Sequence, residues 1–118
     1  MKASEILYYA SVNDTDKQRV DDLAASINAN GWQGAPILVM ESMGMLITGS
    51  HRLAALKALE DDGFDIDDLG DVAEPVDDII NAWCEENDAC IDDIRFDSLS
   101  DVFAGTWVEQ YKDEIEEW

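Results

Sequence analysis

Positive charge is scarce in this 118-residue chain: seven Lys and Arg stand against 28 Asp and Glu, with a single His, giving a formal net charge of −21. Proteins that grip nucleic acid neutralise phosphates with a basic face, so this balance argues against direct binding to DNA or RNA. No apolar run approaches the ~20 residues of a membrane-spanning helix. The opening Met1-Lys2-Ala3-Ser4-Glu5 lacks the charged-then-apolar layout of a secretion signal, and the expected compartment is the cytoplasm. Cysteine is nearly absent. Cys84 and Cys90, with five residues between them, make neither a zinc quartet nor a disulfide framework, and reduced, partly buried thiols are expected. The chain contains no internal repeat and no low-complexity linker.

What the chain does have is enough apolar content, 47 %, to fold as one domain with a core. It also has an uneven charge distribution. Residues 1–59 carry six acids and five bases, close to neutral; residues 60–118 carry 22 acids against Arg95 and Lys112, a net −20. Solubility or adaptation to a salty medium is the plain reading of such acidity; salt adaptation would spread acid over the whole surface, which this chain does not do, and the asymmetry argues for a partner other than nucleic acid.

Periodicity gives a mixed α/β (α+β) architecture. Ile6-Leu7-Tyr8-Tyr9 reads as a strand-like lead-in, and Thr15-Asp16-Lys17-Gln18 as a capping box opening a helix. On that helix Val20, Leu23, Ala24 and Ile27 share a face, and Asn30-Gly31 ends it. Ile37-Leu38-Val39-Met40 is an unbroken apolar run, the mark of a buried strand. Ser42-Met43-Gly44 turns the chain and Met45–Thr48 returns as a second strand. Arg52 to Leu59 reads as a helix, and 60–75 as an Asp- and Gly-rich loop with a short strand near Asp71–Ala73. Pro75 is expected in the first turn of the next helix, whose Val76, Ile79, Ile80, Trp83 and Cys84 follow helical spacing, with Asp77 and Asp78 at its positive end. Leu99, Val102 and Phe103 mark a short helix. Thr106-Trp107-Val108-Glu109 is a second capping box, and Val108, Tyr111, Ile115 and Trp118 form a stripe on a final helix. The expected organisation is one domain over 1–118, with a core in 1–60 and an acidic, mainly helical extension in 61–118.

Between the return strand and the following helix lies Gly49-Ser50-His51-Arg52. Gly49 lets backbone approach a ligand, Ser50 is placed as an N-cap, and the amides of a helix start carry partial positive charge. Arg52 can fork onto two phosphate oxygens, and His51 can donate a hydrogen bond or serve as acid or base. In isolation these four residues also describe an ordinary turn with a good cap. The stretch from Asn30-Gly31-Trp32 through Ala35-Pro36-Ile37-Leu38-Val39 to Leu46-Ile47-Thr48-Gly49-Ser50-His51-Arg52-Leu53-Ala54-Ala55-Leu56 resembles the ParB/sulfiredoxin fold. ParB-type domains carry Gly-Glu-Arg-Arg at this corner and sulfiredoxins Gly-Cys-His-Arg. The resemblance covers residues ~16–60 in order and spacing. It implies a small mixed sheet with flanking helices, and a turn in which Gly49, Ser50, His51 and Arg52 contact the phosphates of ATP or CTP, carried with Mg. Ser50 stands where sulfiredoxin has its reactive cysteine, so sulfinic-acid repair is ruled out. The ParB glutamate and second arginine are missing, and no basic helix-turn-helix follows.

Other chemistry is sparser. Asp65, Asp67 and Asp71 lie in a stretch patterned like the start of a calcium loop, but Leu69 and Val76 occupy positions where that loop needs ligands. Of the four tryptophans, Trp83 belongs to an apolar stripe and Trp32, beside Gly31 and Gly34, is the expected exposed contact. Two functions follow. One is a nucleotide-binding protein, with phosphotransfer or hydrolysis as the extended form. The other is an acidic inhibitor of phage or plasmid type that mimics DNA and occupies the basic groove of a nucleic-acid-binding enzyme.

Overall fold

A computed structural model describes residues 1–11, 15–89 and 102–111. Its centre is a three-stranded mixed sheet. Strand β1 (Ile37–Met40) pairs antiparallel with β2 (Met45–Leu46) and parallel with β3 (Ala73–Pro75), in the order β2-β1-β3. The register sets Val39 opposite Leu46 on one side, and Ile37 opposite Ala73 and Val39 opposite Pro75 on the other.

All four β1 residues are buried, as an apolar run in a central strand requires. Alternation along the strand divides them between two cores. Ile37 and Val39 join Leu46 and Ala73 in a cluster covered by the helices α1 (Ala3–Ile6), α2 (Lys17–Asn30) and α3 (Ser50–Asp61). Leu38 and Met40 join Ile47 and Val76 in a second cluster, closed by Ile80 of α4 (Asp77–Glu86) and by Val102, Phe103 and Val108. The sheet is thus sandwiched between two helical layers. β3 comes from the chain after residue 60, so the acidic half contributes to the same sheet as the first half.

Several local expectations hold. Val20 and Ile27 are the buried residues of α2, and Gly31 caps it, its amide donating to the Ile27 carbonyl. Gly44 turns the hairpin in the left-handed region, at φ 59°. Asp77 and Asp78 lie in the first turn of α4.

Others are corrected. The lead-in at Ile6–Tyr9 is not a strand. The Glu5 side chain reaches back to the Lys2 amide and closes a helical turn, which buries Ala3 and Ile6 and leaves Tyr8 exposed. The N-terminal segment meets the sheet at isolated bridges instead, Lys2 with Asp71 and Ala10 with Met45. Asp16, not Thr15, caps α2 by accepting from the Gln18 amide, while the Gln18 side chain turns to Asp22. The return strand is only two residues long, because the Ile47 and Thr48 amides both converge on the Leu38 carbonyl and the ladder stops. Pro75 ends β3 rather than opening α4; a residue without an amide is tolerated on an edge strand. At the second box, Thr106 accepts from Val108, but Glu109 reaches Gly105 instead of Thr106, and Trp107–Tyr111 forms a 3-10 turn. Cys90, Leu99, Ile115 and Trp118 lie outside the described residues.

Candidate functional site

The corner at Gly49 is built from a conflict that only glycine resolves. Its φ of 93° is in the left-handed region, and a Cβ there would stand 2.8 Å from Ile37 Cγ1. The close approach lets the chain leave β2, pass over β1 and enter α3. Gly49 is therefore the residue preceding the helix, and Ser50 is its first residue rather than its cap, a correction to the sequence reading. Leu53 donates the first helical bond to the Gly49 carbonyl. α3 is twelve residues long, and a helix start of this kind carries partial positive charge.

Three separate segments close around the turn, each through a side chain of the motif. Ser50 is buried and its hydroxyl accepts from the Ser11 hydroxyl at 2.7 Å. His51 Nε2 accepts from the Asp16 amide at 3.1 Å, which requires that nitrogen to be unprotonated and fastens α3 to the start of α2. Arg52 turns toward the loop before β1. One of its nitrogens donates to the Ala35 carbonyl and the other to the Gln33 carbonyl at 3.2 Å, while its guanidinium carbon lies 4.8 Å from the Trp32 ring centre. Among the described residues no buried side-chain polar atom lacks a partner. Gly49, Ser50, His51 and Arg52 are consecutive and form the entry into α3. It also gives each polar side chain of the motif a partner within the protein. An Arg52 fork onto phosphate would exchange the Gln33 and Ala35 carbonyls for phosphate oxygens.

Of the expected metal residues Asp65, Asp67 and Asp71, the last two are put to other use, and Asp65 precedes the 3-10 turn Ile66–Leu69 without capping it by its side chain. Asp67 accepts from the Ser4 amide at 3.0 Å, and hydrogen bonds from the Ser4 amide and hydroxyl, aided by nearby Lys2, hold its carboxyl below the usual carboxylate range. Asp71 pairs with the Met1 ammonium at 3.6 Å. Among the described residues no three His, Cys, Asp or Glu side chains gather into a metal-holding group.

Two features are absent from local sequence patterns. Asp77 accepts from the Glu41 and Ser42 amides at 2.8 and 2.9 Å, clamping the hairpin turn to α4. Burial pushes its carboxyl up, but hydrogen bonds from the Ser42 hydroxyl and amide and from the Glu41 amide outweigh this and leave its pKa lowered. Nearby Tyr9 is raised, by burial first and then by Glu41, Asp77 and Glu5. The second feature is a cleft of about 350 Å³ whose walls include Trp32, Pro36, Asp71, Glu74, Trp107 and Tyr111. Its aromatic pair could be found in sequence only as spacing on a turn, and its third ring comes from a distant loop, the one before β1.

Among the described residues no helix is long and apolar enough to cross a membrane. No protein-family model, curated protein or solved structure matches this chain.

Proposed function

We propose that this protein binds the phosphates of a nucleotide at the Gly49–Arg52 turn, in the manner of the ParB/sulfiredoxin-like domains its sequence resembles. The observation that carries the reading is the corner itself. A glycine held left-handed against Ile37 opens a twelve-residue helix, with His51 and Arg52 in its first turn. The order of elements agrees with the resemblance: a helix ending at Asn30, the strand Ile37–Met40, a return strand, then this turn. A phosphate at such a helix start gains from the helix dipole, and Arg52 and His51 supply further donors once their present partners are exchanged.

The test is thermal unfolding with Mg-ATP, Mg-CTP and Mg-pyrophosphate. A ligand at about 100 times its Kd adds about 2.7 kcal/mol of stability, on the order of 10 °C in Tm for a domain of this size. The expected result is a saturable shift with at least one nucleotide, which His51→Ala reduces. No shift with any of the three sinks the reading. His51 is the chain's sole histidine, and phosphate release that His51→Ala abolishes would extend the proposal from binding to hydrolysis.

A second reading is favoured by a different observation. Eleven acids between Glu60 and Asp88 are exposed (Glu60, Asp61, Asp62, Asp65, Asp68, Asp71, Glu74, Asp78, Glu85, Glu86 and Asp88), with no Lys or Arg in that interval. Such a surface attracts a basic protein, including the nucleic-acid groove of an enzyme, through long-range steering. Capture of basic nucleic-acid enzymes from lysate at low salt, lost at high salt, is the expected outcome. Retention of no basic protein at low salt overturns it.

A further inference from the structure

The cleft between the loop before β1, strand β3 and the 3-10 turn at Trp107–Tyr111 has an unusual wall. Trp107 and Tyr111 meet edge to face, with ring centres 6.4 Å apart and planes at 83°. Trp32 and Pro36 face the same space, and the charged groups among its lining residues are two exposed carboxylates, Asp71 and Glu74. Trp107 is 42 % exposed, a large apolar surface to leave in water. From this we infer that the cleft is a recognition pocket for a guanidinium group, taking an arginine side chain of a basic partner polypeptide.

Aromatic faces attract cations through the ring quadrupole, and a planar, weakly hydrated guanidinium stacks on them more readily than a compact ammonium. The Glu74 carboxylate in the lining adds charge and a fork-like acceptor, and Asp71, which also pairs with the Met1 ammonium, adds a second. The molecule already contains one such contact, since the Arg52 guanidinium lies over the Trp32 ring. A volume of about 350 Å³ is at the small end for ligand pockets and suits one side chain better than a nucleotide.

The walls are independently anchored. Trp107 and Tyr111 flank Val108, which is fully buried in the second core, and Thr106 ties the turn to the Phe103 carbonyl at 2.6 Å. The loop bearing Trp32 and Pro36 is held by Arg52 through the Gln33 and Ala35 carbonyls. Glu74 is fixed within β3 opposite Leu38, and Asp71 by its isolated bridge to Lys2. A pocket assembled on three anchored segments loses little entropy when it is filled.

This pocket goes beyond the phosphate-binding proposal and is tested without nucleotide, since an Arg52 fork onto phosphate would give up the carbonyls that hold the Trp32 loop. It gives the acidic surface an anchor point, yet its test uses a small probe and not a basic groove. The full chain is titrated with N-acetyl-arginine-amide, with the citrulline analogue that has nearly the same shape without charge, and with a short arginine-containing peptide. The readout is the indole N–H resonances, assigned with Trp32→Phe and Trp107→Phe. The expected result is saturable movement of the Trp32 and Trp107 signals with the arginine probes, with affinity at least about tenfold above the citrulline analogue. Glu74→Gln is expected to weaken binding at least about fivefold while Asp78→Asn, which removes the same charge from the first turn of α4, leaves it unchanged. Equal binding of citrulline, equal effects of the two charge variants, or no movement of either indole would each overturn the pocket.

Discussion

Two regions of this molecule carry chemistry-bearing residues, and they use them in opposite directions. At the Gly49–Arg52 turn the polar side chains point inward to partners: Ser50 to Ser11, His51 to Asp16, Arg52 to the loop at Gln33–Ala35. Across residues 60–88 the acids mostly point outward, and the aromatic cleft opens beside two of them. The difference teaches that the polar side chains of the turn serve the fold as a clasp. The turn joins α3 to three segments that are 17 to 39 residues away in sequence. Among the described residues the acids of this region bond internally through the Asp67 and Asp77 clamps and the pair of Asp71 with the Met1 ammonium. Mutations in the first region should therefore register as stability, and those in the second as binding or salt dependence.

The largest expected effect is at the corner. Gly49→Ala combines a left-handed backbone with a Cβ 2.8 Å from a buried isoleucine. The strain of the backbone and the overpacking together cost about 2–4 kcal/mol. Gly63→Ala is the control: its φ is 89°, but nothing lies within 4 Å of the added Cβ. That variant should lose only about 1 kcal/mol, from backbone strain alone. Urea midpoints of the two separate packing from conformation, and equal losses would show that the Ile37 contact relaxes without penalty.

Arg52→Ala comes next, at about 2 kcal/mol for two hydrogen bonds to carbonyls and a ring contact. Arg52→Lys should recover less than half, because an ammonium cannot span the Gln33 and Ala35 carbonyls as the fork does. This residue also joins the two regions. The loop it holds supplies Trp32 and Pro36 to the cleft, so Arg52→Ala should weaken arginine-peptide binding as well as lower the urea midpoint. Unchanged peptide affinity would show that the cleft does not depend on the clasp.

How much of this was legible in sequence follows from how local each feature is. The α2 stripe, the Gly31 stop, the buried run of β1 and the Gly44 turn depend on residues within a few positions of one another, and each is present. The mixed α+β class followed from them. The lead-in was missed because a four-residue apolar run suits strand and helix alike, and the Glu5–Lys2 bond decided the matter. The place of Pro75 depended on β3 finding β1 across α3, a pairing that no local pattern encodes. The turn motif itself was legible, since its four residues are consecutive. Its partners were not, and neither was the cleft, whose aromatic walls meet only after both cores have closed.

A smaller effect tests the clamp between the hairpin and α4. Asp77→Asn keeps the shape but gives up charge-assisted bonds to the Glu41 and Ser42 amides, at about 1 kcal/mol near neutral pH. The sign with pH is fixed by the lowered pKa of Asp77 in the folded state. A depressed carboxyl contributes stability above the unfolded carboxylate pKa, and that contribution is lost as pH falls through the folded value. The gap between parent and variant should therefore narrow as the solution is acidified below the ordinary aspartate range. Urea midpoints across that range check it, and taking the difference between two proteins removes the general relief of acid repulsion that both share.

The smallest effect is the most direct test of the outward-facing acids. Glu60 and Asp61 occupy the last turn of α3, Asp62 follows as its cap, and no basic residue offsets them there. That end of a helix carries partial negative charge, so three carboxylates beside it are unfavourable and also repel one another. Replacing them together, as Glu60→Gln, Asp61→Asn and Asp62→Asn, should stabilise the protein at low ionic strength by about 0.5–1 kcal/mol. The gain should shrink as salt is raised from about 0.01 M to about 1 M, where the screening length falls from about 30 Å to about 3 Å. A triple variant that is instead less stable, or whose gain ignores salt, would mean that these acids make favourable contacts within the fold. The contrast would then fail at the end of α3, because the same helix would be clasped by its side chains at both ends. If the gain appears and salt removes it, the acids oppose the fold where they stand, and internal stabilisation does not account for their presence at the end of α3.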